Sequence, residues 1–90
     1  MDHNERERIY KAAISLFGAE WQKKKLLEEM AELQEALIKF DGGRDTVEHV
    51  AEEIADVTIM LDQLRIIVGV NYLVERYIDK KCARLRDRVD

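Results

Sequence analysis

The chain has no proline, one cysteine, four glycines and only 7% aromatic residues. Without proline, nothing in the sequence removes a backbone donor or forces a kink inside a helix. The lone Cys82 has no partner for an internal disulfide, which fits a reducing, cytoplasmic setting. Few aromatics and short β-branched runs argue against a sheet. Long apolar runs are missing too. The longest, Ile66 to Val70, is far shorter than the roughly 20 residues that cross a bilayer. The opening MDHNERERIY alternates acid and base without the apolar core of a secretory signal. We therefore expect no membrane partner. Excess positive charge is also absent: 15 Lys and Arg face 19 Asp and Glu, a net charge of −4. That balance argues against a nucleic-acid polymer as partner. A nucleotide remains open, provided a metal ion supplies the missing positive charge.

What the chain does have is 47% hydrophobic and 38% charged residues, a mixture that suits amphipathic helices. Its 90 residues form one expected domain, 1–90, close to the lower limit for burying an adequate core. Periodicity predicts four helices with glycines at the breaks: Asn4 to Phe17, Ala19 to Phe40, Thr46 to Val68 and Asn71 to Val89. Asp45 followed by Glu48 reads as a capping box, and Asn71 as the cap of the fourth helix. The expected core stripe is Leu26, Met30, Leu33, Leu37 and Phe40 on the second helix. On the third it is Val47, Val50, Ile54, Val57, Leu61, Leu64 and Val68. On the fourth it is Val74, Ile78, Cys82, Leu85 and Val89. Leu27, Ala31, Ile38, Ile59 and Ile66 fall outside these stripes and imply a helix-mediated oligomer. The expected fold is all-α and four-helix bundle-like.

Acidic residues crowd two places, Glu28, Glu29, Glu32 and Glu35 first, then Glu48, Glu52, Glu53 and Asp56. Like charges at helical spacing repel by a few tenths of a kcal/mol per pair, roughly. At about 100° per residue, Glu29 and Glu32 border one flank of the second helix's stripe, and Glu53 and Asp56 one flank of the third's. Half-buried carboxylates need a compensating cation or hydrogen bonds. Two such pairs across a groove offer oxygens alone, the donor set of Mg²⁺ or Mn²⁺. Gln22 and Lys25 share the flank, with Trp21 slightly further round. On the fourth helix Lys81, Arg84 and Arg88 form a basic stripe suited to phosphate oxygens. His49 lies on the acid flank and is expected to be solvated. No Glu-x-x-His pair occurs, which excludes a di-iron bundle site.

The run EEMAE (Glu28, Glu29, Glu32) followed by EIAD (Glu53, Asp56), with twenty residues between, resembles the E-E-x-x-E … E-x-x-D motif of MazG-type nucleotide pyrophosphohydrolases. Related all-α enzymes are the dimeric dUTPases, the dCTP pyrophosphatases and phosphoribosyl-ATP pyrophosphatase. The resemblance extends from about Trp21 to Arg88 and includes QKKKLLEE before the first motif and KKCARLRDR after the second. It departs at Asp79, where many members carry asparagine two residues before the lysine. The resemblance implies a MazG fold, Mg²⁺ (with Mn²⁺ as substitute) held by Glu29, Glu32, Glu53 and Asp56, and hydrolysis of a nucleoside triphosphate to monophosphate and pyrophosphate.

On that reading Glu28 or Glu32 positions the attacking water or takes its proton. Lys81 and Arg84 stabilise the departing pyrophosphate, with Arg88 beside them. Trp21 is expected either to anchor the first helix or to stack on a base, and Gln22 and Lys25 either to bind substrate or to serve structure. The oligomer is expected to be a dimer or a dimer of dimers. The alternative from a different class is a non-enzymatic helical interaction module whose acids keep it soluble.

Overall fold

A computed structural model describes all residues, 1–90, as four helices: α1 (His3–Phe17), α2 (Ala19–Asp41), α3 (Val47–Val68) and α4 (Asn71–Val89). The all-α expectation holds, with boundaries within a residue of those read from periodicity. The caps differ. Asp2 caps α1, its Oδ1 accepting from the Glu5 N–H at 2.8 Å. Thr46, not Asp45, caps α3, accepting from the His49 N–H at 3.1 Å. Asp45 stands one residue before the cap, its Oδ1 accepting from the Thr46 N–H at 2.7 Å. Nor does Asn71 cap α4. It is already the first helical residue, and its Oδ1 accepts from Arg65 Nη1 at 3.2 Å. The α3–α4 break is set by Gly69, whose left-handed backbone (φ 71°, ψ 34°) lets its N–H reach the last α3 carbonyls.

The centre of the chain is the α2–α3 hairpin. Gln22 meets Gln63, Glu29 meets Asp56, and Glu32 borders the same concavity as Asp45 and His49. Rising numbers on α2 match falling numbers on α3, so the two helices run antiparallel. α1 lies against both, whereas α4 packs only against α3.

The seam of this hairpin is not the expected apolar stripe. On α2 the buried residues are Gln22, Leu26, Glu29 and Ala36; on α3 they are Glu53, Val57, Met60 and Gln63. At 100° per residue, the buried face is turned roughly 40° from the expected stripe on α2 and roughly 80° on α3. Met30, Leu37, Phe40, Val47, Ile54, Leu61 and Val68 are consequently 40–60% exposed. The physical reason is that each helix carries more than one apolar face, and one chain supplies only one facing helix. The face that closes holds the small Ala36 and groups able to hydrogen-bond across it. Cys82, expected in the core, is exposed, because no residue of α4 is buried.

The result is an open molecule. Its radius of gyration is 15.6 Å, against about 12 Å for a compact chain of this length. Only Leu26, Ala36, Val57 and Met60 form a buried apolar core. No helix is long and apolar enough to cross a membrane.

Candidate metal centre

Three of the four acids expected to bind metal converge. Glu29 of α2 and Glu53 and Asp56 of α3 each place a carboxylate oxygen within 4.8 Å of the others. The i, i+3 spacing of Glu53 and Asp56 aims both at α2, and the antiparallel register sets Glu29 opposite them. Glu29 and Glu53 are buried, at 7% and 8% exposure, and Asp56 is half-buried. Two oxygens, Glu29 Oε2 and Glu53 Oε2, are shut off from solvent without any hydrogen-bond partner. An unsatisfied buried polar atom costs about 1–3 kcal/mol, and more when charged, so the pair marks a place built for something that accepts from neither and donates to both, or for a cation.

The outer oxygens are engaged. Lys25 Nζ lies 3.2 Å from Glu29 Oε1 and 3.9 Å from Glu28 Oε2. The hydrogen bond to Glu29 and the charge of that carboxylate raise the Lys25 pKa. His49 spans two carboxylates, with Nδ1 at 2.6 Å from Asp45 Oδ2 and Nε2 at 3.1 Å from Glu53 Oε1. Its bond to Asp45 raises the imidazole pKa and lowers that of Asp45. His49 is exposed, as expected, but both of its ring nitrogens also face carboxylates.

Burial pushes the Asp56 carboxyl above the usual range, and the Glu29 charge adds to it. Glu32 is exposed and outside the converging set. The Glu29 charge, followed by desolvation and the Glu53 charge, raises its pKa. It borders a concavity next to the cluster, shared with Glu35, Asp45, His49 and Glu53. Glu28 is exposed, with Lys25 as its ion-pair neighbour. Trp21 is 62% exposed and flanks a small hollow with Lys24, Lys25 and Glu28.

Other expected site residues lie apart. Gln22 is buried, and its Nε2 donates to Gln63 Oε1 at 2.7 Å, so its amide is committed to the hairpin. Lys81, Arg84 and Arg88 are exposed, form no ion pair and stand on the helix that packs only against α3. A single chain does not bring them to the acids.

Sequence reasoning passed over Gln63, Asp45 and the engaged state of His49. A signal existed for each. Gln63 lies seven residues after Asp56, on the same face, and Asp45, His49 and Glu53 follow one another at four-residue steps. In comparisons with protein-family models, curated proteins and solved structures, no match to the chain is found.

Proposed function

We propose that the protein is a divalent-metal-dependent nucleotide pyrophosphohydrolase of MazG-like type, converting a nucleoside triphosphate or related nucleotide to the monophosphate and pyrophosphate. The observation that carries this reading is the convergence of Glu29, Glu53 and Asp56, together with a buried, unpartnered carboxylate oxygen on each of Glu29 and Glu53. Oxygen donors without nitrogen or sulfur suit Mg²⁺ or Mn²⁺, so the residues present fit the ion. Glu29, Glu53 and Asp56 would hold it, with Glu32 at the margin. Bound there, the ion supplies neutralisation of phosphate oxygens and a more acidic water.

The chain's own residues do the rest. Glu32 stands beside the cluster, exposed to solvent and with its proton affinity raised by the Glu29 charge, the direction that makes a carboxylate a better proton acceptor. Glu28, on the other side of Lys25, is the second candidate for that role. Lys25 neutralises Glu29 until a metal does so, and its ammonium is then free to meet a phosphate oxygen. The exposed Trp21 beside it offers a stacking face for a base.

The phosphate-binding stripe on α4 requires association of chains in this reading. The accessible surface is 7220 Å², whereas a folded monomer of 10.6 kDa exposes about 5,500 Å². The excess, roughly 1,700 Å² per chain, is about twice what each partner contributes to a standard interface. We therefore propose a homo-oligomer, a dimer or a dimer of dimers, in which the apolar faces of α2 and α3 are covered and Lys81, Arg84 and Arg88 line the substrate site.

The test is a screen of nucleotides for pyrophosphate release, with Mg²⁺ and with chelator. Metal-dependent release from at least one nucleotide is expected; none from any, with a folded protein, overturns the enzyme reading. The same exposed apolar face also favours the second reading, a helical module that binds a partner protein. Indifference of the melting temperature to divalent metal would select that reading.

A further inference from the structure

His49 is the only side chain that ties the loop between α2 and α3 to the acidic cluster. Asp45, in that loop, is fixed at its Oδ1 by the Thr46 N–H, and its Oδ2 faces His49 Nδ1 at 2.6 Å. The other ring nitrogen faces Glu53 Oε1 at 3.1 Å. The remaining oxygen, Glu53 Oε2, is the buried one without a partner. The imidazole thus occupies one oxygen of Glu53, while the other is buried and free for a ligand. A glutamate has three side-chain torsions, and an unbraced one loses rotamer freedom on taking a ligand.

We propose that His49 is a positioning residue for metal binding: the Asp45–His49–Glu53 chain fixes the rotamer of Glu53 and points its Oε2 at the space shared with Glu29 and Asp56. The inference rests on the metal reading given above. Outer partners that orient a ligating carboxylate are worth roughly 10–100-fold in metal affinity. A competing effect has the opposite sign, because a cation beside Glu53 repels an incoming divalent ion. The ring is 47% exposed, so water and salt screen its charge, and the positioning effect is the larger.

The experiment is titration of Mn²⁺ alone, followed by electron paramagnetic resonance of the free ion, into wild type, His49→Ala, His49→Gln, Glu53→Gln and the control His3→Ala. His3 also pairs with a glutamate one turn on, Glu7, at 3.6 Å, but at the exposed start of α1. Helix content by circular dichroism verifies that each variant folds. The expected order of affinity is wild type, then His49→Gln, which keeps an N–H for Glu53, then His49→Ala, weaker than wild type by about 10–100-fold, with His3→Ala unchanged. Wild-type affinity in His49→Ala together with lost binding in Glu53→Gln overturns this inference and leaves the metal centre standing. Tighter binding by His49→Ala also overturns it, showing that the ring acts through its charge. Absence of Mn²⁺ binding by wild type overturns the metal centre and this inference together.

Discussion

At the scale of single residues, the decisive groups are carboxylates held closer than their charges favour. Asp56→Asn keeps the shape of the side chain and removes one charge from the cluster. In chelator the variant should be as stable as wild type or more so. Mg²⁺ at about 100 times its dissociation constant should stabilise wild type by roughly 2.7 kcal/mol and the variant by much less. Two melting curves per protein measure this; an unshifted wild type with a strongly destabilised variant would make these acids structural acceptors. The same crowding fixes a pH dependence. Asp56, Glu32 and His49 have pKa values raised in the folded state above their ordinary 3.8, 4.5 and 6.5. Their contribution to stability is fully present below those ordinary values and is lost as pH rises through the raised ones. Asp45 and Glu35, held below 3.8 and 4.5, oppose this only in more acidic solution. In chelator the melting temperature should therefore fall as pH rises past the ordinary carboxylate values and on past 6.5, the ordinary value of histidine. Saturating Mg²⁺ should flatten that fall, because the ion takes the place of the protons. A metal-free melting temperature that climbs across this window would contradict the crowding.

At the scale of elements, α4 is the one whose place is least determined within the chain. It carries Lys81, Arg84 and Arg88, has no buried residue and packs only against α3, where Arg65 bonds to Asn71 and, at 2.9 Å, to Glu75. Lys81→Ala and Arg84→Ala should leave the helix intact, since alanine favours it. Each should weaken nucleotide binding or slow turnover by about tenfold, the worth of a hydrogen bond to a charged group. Wild-type kinetics in both variants would reduce these residues to a solvated face. Elements were the most legible level of the sequence. Helix periodicity and the glycine breaks are local properties, and the four helices follow from them. Cap assignment was less legible: Asp45 and Thr46 are both good caps, and Thr46 takes the His49 N–H while Asp45 bonds to the Thr46 N–H and the His49 ring.

At the scale of the whole molecule, the chain exposes 7220 Å² of surface, Leu37, Ile54 and Leu61 included, where a folded monomer of its mass exposes about 5,500 Å². Light scattering at micromolar concentration should report a dimer or larger, driven by burial of the Leu37, Ile54 and Leu61 face. Leu37→Glu, in the middle of that face, should shift the distribution towards monomer, and dilution should lower specific activity as the assembly dissociates. A stable, folded, active monomer would refute this assembly.

The sequence by itself determined the helices, the oxygen-only character of the acidic groups and the two flanks on which Glu29, Glu53 and Asp56 stand. These follow from a spacing of 3.6 residues per turn, which any reader of the chain can apply. Only the tertiary structure decided which face of each helix meets the other. Leu26 and Val57 satisfy either choice. Met30, Leu37, Ile54 and Leu61 would be buried in one, Gln22, Glu29, Glu53 and Gln63 in the other, and the second is what forms. Hydrophobicity alone favours the first. Rotation of the pair is settled by how two cylinders close over Ala36, by the Gln22–Gln63 bond and by the bracing of Glu29 and Glu53 by Lys25 and His49, all of them contacts between residues far apart in the chain or one turn apart on a helix. For that reason Glu29 and Glu53 turned inward and Leu37 and Leu61 outward, which no periodicity announces.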